Sequence, residues 1–135
     1  MNKNRKKQLE KFSYLLDIMD NLRENCPWDK EQTFKTLKNL TIEETYELSE
    51  AIISNNFEEI KNELGDLLLH IIFYSKIASE KNKFDISDVI SGICEKLIRR
   101  HPHVFDKKEI NSNDVEKNWE NIKIEEGNDL SLIHI

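Results

Sequence analysis

The chain has 135 residues, which suits one domain. With 34% charged and 38% hydrophobic residues but only three Gly and two Pro, it lacks the turn formers a β fold needs; Leu, Ile, Lys and Glu dominate, and the reading is all-α. A net charge of −6 excludes bulk attraction to a nucleic acid polymer, so a polyanion would have to meet a local basic patch.

Lys3, Arg5, Lys6 and Lys7 open the chain with no apolar stretch behind them, so they are not read as a secretory signal. The longest apolar run, Leu67 to Tyr74, is interrupted by His70 and is too short to span a bilayer. Cys26 and Cys94 belong to no CxxC pair. They suit a reduced cytoplasmic setting rather than a disulfide framework or a structural zinc site.

In chain order, a first helix is expected over 7–24, with Phe12, Leu15, Leu16, Met19 and Leu22 on one stripe. Cys26-Pro27-Trp28-Asp29 interrupts it, because proline cannot continue a helix. A second helical region covers 32–54. Thr41 and Glu44 have capping-box spacing, which predicts a break near Leu40. Asn55-Asn56 ends that region and caps a third helix over 57–81. Its core face is read as Ile60, Leu64, Leu67, Leu68, Ile71 and Ala78. A fourth helix starts near Asp85 or Ser87, carries the stripe Ile86, Val89, Ile90, Ile93 and Leu97, and ends near His101 before Pro102. A last amphipathic stretch, 114–126, carries Val115, Trp119 and Ile122, and the apolar tail 131–135 shows no pattern. Phe34 and Tyr46 are expected to pack, and Trp119 to anchor the last helix.

Two segments carry acids at helical spacing. Residues 43–50 read EETYELSE, which sets Glu44 beside Glu47, with Glu43 and Glu50 flanking. Residues 63–66 read ELGD, with Glu63 and Asp66 three apart inside an apolar helix. If the two helices form an antiparallel hairpin, the pairs face one another. Two like charges about 4 Å apart cost roughly 4 kcal/mol at an effective dielectric near 20, and a divalent cation reverses that sign. Mg²⁺ takes hard oxygen ligands and keeps waters that phosphate oxygens can replace, so the constellation points to Mg²⁺-dependent phosphate chemistry. One ExxE alone is ordinarily a solvated face. A second matched pair beside Gly65, which costs about 1 kcal/mol in a helix interior, is harder to explain that way. Gly65 is expected to admit close helix packing.

Residues 95–105 read EKLIRRHPHVF. Lys96 and Arg100 share a helical face, with Arg99 to one side. The helix macrodipole accounts for cations at this end; arginine forks also match phosphate oxygens, and the two readings stay balanced. His70, one turn after Asp66, reads first as a satisfied core histidine and second as a substrate or ligand partner. Trp28 offers a ring for base stacking or an anchor for packing.

CPWDKEQT (26–33), LTIEETYEL (40–48), ELGDLLL (63–69), KLIRRHPHVF (96–105) and NWENIKIEE (118–126) together resemble the MazG nucleoside triphosphate pyrophosphohydrolases, in order, over roughly residues 10–126. The resemblance implies a four-helix-bundle-like all-α fold that dimerises. It implies Mg²⁺, with Mn²⁺ as a substitute, held by Glu44, Glu47, Glu63 and Asp66. Glu43 would be the further acid of the motif, and Lys96 and Arg100 the basic pair near the phosphates. The implied reaction is hydrolysis of a nucleoside triphosphate to the monophosphate and pyrophosphate. Many members carry two such domains in tandem, and the resemblance here is to the first.

The expected mechanism is attack of a metal-bound or carboxylate-held water at the α–β linkage, with Glu43 or Glu47 as general base and nucleotide housecleaning as the setting. Two rivals stand beside it. One is a related all-α dUTPase or phosphoribosyl-ATP pyrophosphohydrolase; the other is a non-catalytic helical module that binds metal or protein.

Overall fold

The computed structural model describes residues 2–106 and 119–126, and among these no strand occurs. The chain divides into two compact units, Met1–Ile86 and Ser87–Ile135.

Four helices build the first unit. Helix α1 covers Lys3–Asn25, capped where Asn2 Oδ1 accepts from the Arg5 N–H at 2.7 Å. It stops at Cys26 because Pro27 follows, yet the CPWD segment is itself helical. Proline lacks only an amide that a first turn leaves unbonded anyway, so α2 runs Pro27–Glu31 with proline at its first position. Arg23 ties this short helix down. Its Nη1 donates to the carbonyls of Asp29, Lys30 and Gln32 at 2.7–3.0 Å, while Nε and Nη2 grip Glu80.

Helix α3, Phe34–Ile53, is unbroken. The capping box lies at its start: Thr36 N–H donates to Thr33 Oγ1 at 3.2 Å, and Thr33 N–H to Thr36 Oγ1 at 2.8 Å. The expected break near Leu40 is therefore absent, and the Thr41 hydroxyl instead donates back to the Leu37 carbonyl at 3.1 Å. A threonine within a helix can satisfy its hydroxyl against the preceding turn without ending it.

Helix α4 covers Phe57–Glu80. Asn56 caps its start by accepting from Glu59 N–H, and Glu58 and Glu59 suit the positive end of the macrodipole. The C-terminal ends of α3 and α4 follow one plan. Asn55 and Asn82 take left-handed backbone at φ 55° and 57°, and the next amide bonds back to Ala51 and Ala78 respectively. In this glycine-poor chain asparagine fills the position that glycine usually holds.

Met19, Leu37, Ile72, Phe73 and Ile77 form the core, lined by Phe12, Leu15, Leu16, Leu69, Tyr74 and Ile86. The α1 stripe behaves as read. The α4 face does not: Leu64, Leu68 and Ile71 are 51%, 42% and 42% exposed, while His70, Ile72, Phe73, Ser75, Ile77 and Ala78 are buried. Much of α4 is apolar nearly all round, so periodicity could not choose which arc α1 and α3 would cover. Tyr46, expected to pack, is 71% exposed.

In the second unit, α5 extends from the boundary residue through Ile86–Arg100, and α6 covers Pro102–Phe105. Residues 119–126 are helical, and Val115 and the tail 131–135 lie outside the described residues. The α5 stripe is present, but Val89, Ile90, Ile93 and Leu97 are all partly exposed. Among the described residues no helix is long and apolar enough to cross a membrane.

Candidate active site

The α3–α4 hairpin brings together the acids that helical spacing had paired. Ligand oxygens of Glu44, Glu63 and Asp66 lie within 4.8 Å of one another. Glu44 and Glu63 are half-buried, and one oxygen of each, Oε2, is sealed from solvent with no hydrogen-bond partner. Glu47 lies one turn beyond Glu44 and meets Glu63. Glu43 is exposed and is not among the carboxylates that Glu44 or Glu63 feel.

Such crowding pulls protons on. Burial, then a hydrogen bond to Glu63, then repulsion from Asp66, Glu47 and Glu63 push the Glu44 carboxyl up to about 7. Glu63 is raised as well: burial leads, the bond from Glu44 opposes, and Glu47 and Asp66 add repulsion. A cluster that holds protons near neutrality and keeps orphaned oxygens is suited to a cation. These acids fit a divalent metal by donor type, by mutual distance and by the two unsatisfied atoms.

Gly65 does not serve close packing, contrary to expectation: a Cβ added there would meet nothing within 4 Å.

One turn along the hairpin lies a polar network whose Thr41 and Tyr74 sequence reading missed. The Thr41 hydroxyl contacts His70 Nδ1 at 2.6 Å and also meets the Tyr74 hydroxyl. Tyr74 stacks on Phe34 with centroids 5.4 Å apart and planes 7° from parallel. His70 is buried, as its first reading held. Burial lowers its pKa, against the pull of the Asp66 charge. The missed signal was spacing, since Thr41 precedes Glu44 by three residues and Tyr74 follows His70 by four. Trp28 is 55% exposed, so it is not a packed anchor.

In the second unit, Arg99 and Arg100 are already engaged. Arg100 Nε and Nη2 donate to both carboxylate oxygens of Glu126, and Arg99 Nη2 adds a bond at 2.8 Å. These bonds, Arg100 first, hold the Glu126 carboxyl down to about 2. The Arg100 guanidinium and Lys123 Nζ lie 5.9 Å and 5.2 Å from the Trp119 ring, with His101 beside it. Trp119 anchors the last helix largely through these contacts, being 37% exposed. Lys96 is half-buried on α5.

Residues 32–105, more than half the chain, match the family model described as the MazG nucleotide pyrophosphohydrolase domain. The chain belongs to this family. MazG relatives extend the match beyond that segment. The chain is 48% identical over 122 residues to a nucleoside triphosphate pyrophosphohydrolase of Escherichia coli (strain K12), covering 87% of this chain and 46% of the relative. It is 50% identical over 117 residues to the nucleoside triphosphate pyrophosphohydrolase/pyrophosphatase MazG of Thermotoga maritima, covering 85% and 45%. The chain thus spans about half the length of these curated relatives. Among solved structures, the crystal structure of a mazG-related protein from Thermotoga maritima superposes with a TM-score of 0.71 at 27% identity, covering 82% of this chain and 97% of that one.

Proposed function

We propose that this MazG domain is a Mg²⁺-dependent nucleoside triphosphate pyrophosphohydrolase, with Mn²⁺ as a substitute ion, acting in nucleotide housecleaning in the cytoplasm. The observation that carries the reading is the trio Glu44, Glu63 and Asp66, whose oxygens converge within 4.8 Å while two of them lack any partner. Relatives named for this activity support it.

In this reading Glu44, Glu63 and Asp66 hold the ion, and Glu47 completes the set beside Glu63. A bound divalent ion supplies charge neutralisation and a more acidic water. Glu47, exposed and adjoining the trio, is better placed than Glu43 to take a proton from the attacking water. Lys96, Arg99 and Arg100 are the cations proposed for contact with phosphate, and Arg99 and Arg100 are bonded to Glu126. Trp28 presents an open ring for the base.

We also propose a homodimer. The α4 stripe Leu64, Leu68 and Ile71 is an exposed apolar face of the kind a second copy covers.

The test is incubation with each ribo- and deoxyribonucleoside triphosphate and Mg²⁺, followed by product analysis. Pyrophosphate with the nucleoside monophosphate is expected. Orthophosphate with the diphosphate, or no product from any nucleotide, would overturn the reading, the latter favouring a non-catalytic binding module.

A further inference from the structure

The Thr41 hydroxyl stands at the centre of three contacts and has one proton to give. Its neighbours are the Leu37 carbonyl at 3.1 Å, His70 Nδ1 at 2.6 Å and the Tyr74 hydroxyl. A carbonyl can only accept, so if all three contacts are hydrogen bonds the Thr41 proton goes to Leu37. Its two lone pairs then receive the Tyr74 O–H and the His70 Nδ1–H. Any other assignment leaves one of the three contacts unmade. In that assignment the imidazole carries its proton on Nδ1 and a lone pair on Nε2. Among the described residues no group hydrogen-bonds Nε2, and although the His70 residue is only 8% exposed, this atom is not among those sealed from solvent. An acceptor open to solvent on an otherwise buried ring can take a donor from a ligand.

The place of this acceptor says what kind of donor it would meet. His70 is one turn beyond Asp66 on α4, about 6 Å along the axis. Its Thr41 partner is one turn from Glu44 on α3, on the opposite wall. Another turn along α4, Tyr74 stacks on Phe34. The hairpin therefore presents carboxylates, then an imidazole acceptor, then aromatic rings. A nucleotide offers phosphates, then sugar hydroxyl donors, then a base, in the same order, with Trp28 as a further ring for the base.

We propose that His70 Nε2 accepts a hydrogen bond from a sugar hydroxyl of the nucleotide, and that Thr41 and Tyr74 are positioning residues which fix the imidazole for that contact. This rests on the nucleotide reading above and deepens it. Burial favours the neutral imidazole, which keeps the lone pair available.

Two measurements test it. The tautomer comes from long-range nitrogen-15 correlation spectra of the full chain in chelator at neutral pH. The Nδ1–H form is expected, and the Nε2–H form would overturn the proposal. The contact comes from steady-state kinetics with a triphosphate and its 2′-deoxy and 3′-deoxy analogues. Loss of the contacted hydroxyl should raise KM about threefold to tenfold in the wild type, and His70→Phe should erase that penalty. Thr41→Val, which keeps the ring, should raise KM about threefold with kcat nearly unchanged, and Thr41→Ser should restore it. Unchanged analogue penalties in His70→Phe, or a Thr41→Val variant that loses kcat alone, would remove the role of His70 while leaving pyrophosphate release intact. A wild type that releases no pyrophosphate would instead remove the underlying reading and this contact with it.

Discussion

Two groups of charged side chains in this molecule are built on opposite plans. At the α3–α4 hairpin, Glu44, Glu63 and Asp66 bring like charges together and leave buried oxygens without partners. In the second unit, Glu126 meets Arg99 and Arg100 through four hydrogen bonds, and opposite charges attract one another. The first group keeps its mutual repulsion and leaves two oxygens unpartnered. The second holds its carboxylate fully bonded. Charge density alone therefore does not distinguish the two groups; unsatisfied charge does.

The largest expected effect breaks the first group. Glu63→Gln keeps the shape of the side chain and removes the charge that both Glu44 and Glu47 meet. Pyrophosphate release should fall by more than about 100-fold, beyond the range for partners one step removed from a metal. Circular dichroism should show unchanged helix content. A variant that keeps its turnover would show that the trio is a structural accident.

Stability against pH should separate the two groups by sign. The folded value for Glu44 is raised from 4.5 to about 7, so the metal-free folded state binds more protons than the unfolded one in that window. Stability contributed there is fully present below about pH 4.5 and is lost as pH rises through about 7. Glu126 is lowered to about 2, so its contribution is present above 4.5 and lost as pH falls towards 2. Melting temperatures of the metal-free chain should therefore decline on both sides. Saturating Mg²⁺, or Glu44→Gln, should flatten the neutral side alone, and Glu126→Gln the acid side alone. A neutral limb insensitive to both Mg²⁺ and Glu44→Gln would contradict the contrast.

The smallest effect concerns Gly65, between the two α4 acids. A Cβ would meet nothing within 4 Å there. Gly65→Ala should therefore stabilise the chain by about 0.5–1 kcal/mol, the helical cost of glycine, measured by denaturant unfolding. Destabilisation would show a constraint at that position beyond the packing seen here.

How much was legible beforehand differs from element to element. The all-helical class, the α1 stripe and the Asn55-Asn56 junction could be read, because composition, a 3.6-residue period and capping chemistry are local properties. So could the pairing of Glu44 with Glu47 and of Glu63 with Asp66, since one helix turn sets it. The buried arc of α4 could not be read, because a helix apolar on most sides has no preferred face until neighbours choose one. Thr41 read as a cap because capping spacing recurs by chance, and only the Thr33–Thr36 box has extended backbone at its first residue.

By itself, then, the sequence determined the all-helical class and which acids would stand one turn apart, since composition and side-chain spacing act within a few residues, but not every helix boundary near Pro27 and Leu40. Tertiary structure alone decided that Glu44 meets Glu63 across two helices, that Glu126 engages both arginines, and that Thr41 reaches His70 and Tyr74. Those contacts join residues 19 to 33 positions apart. Their energies depend on burial and mutual distance, which no local pattern encodes.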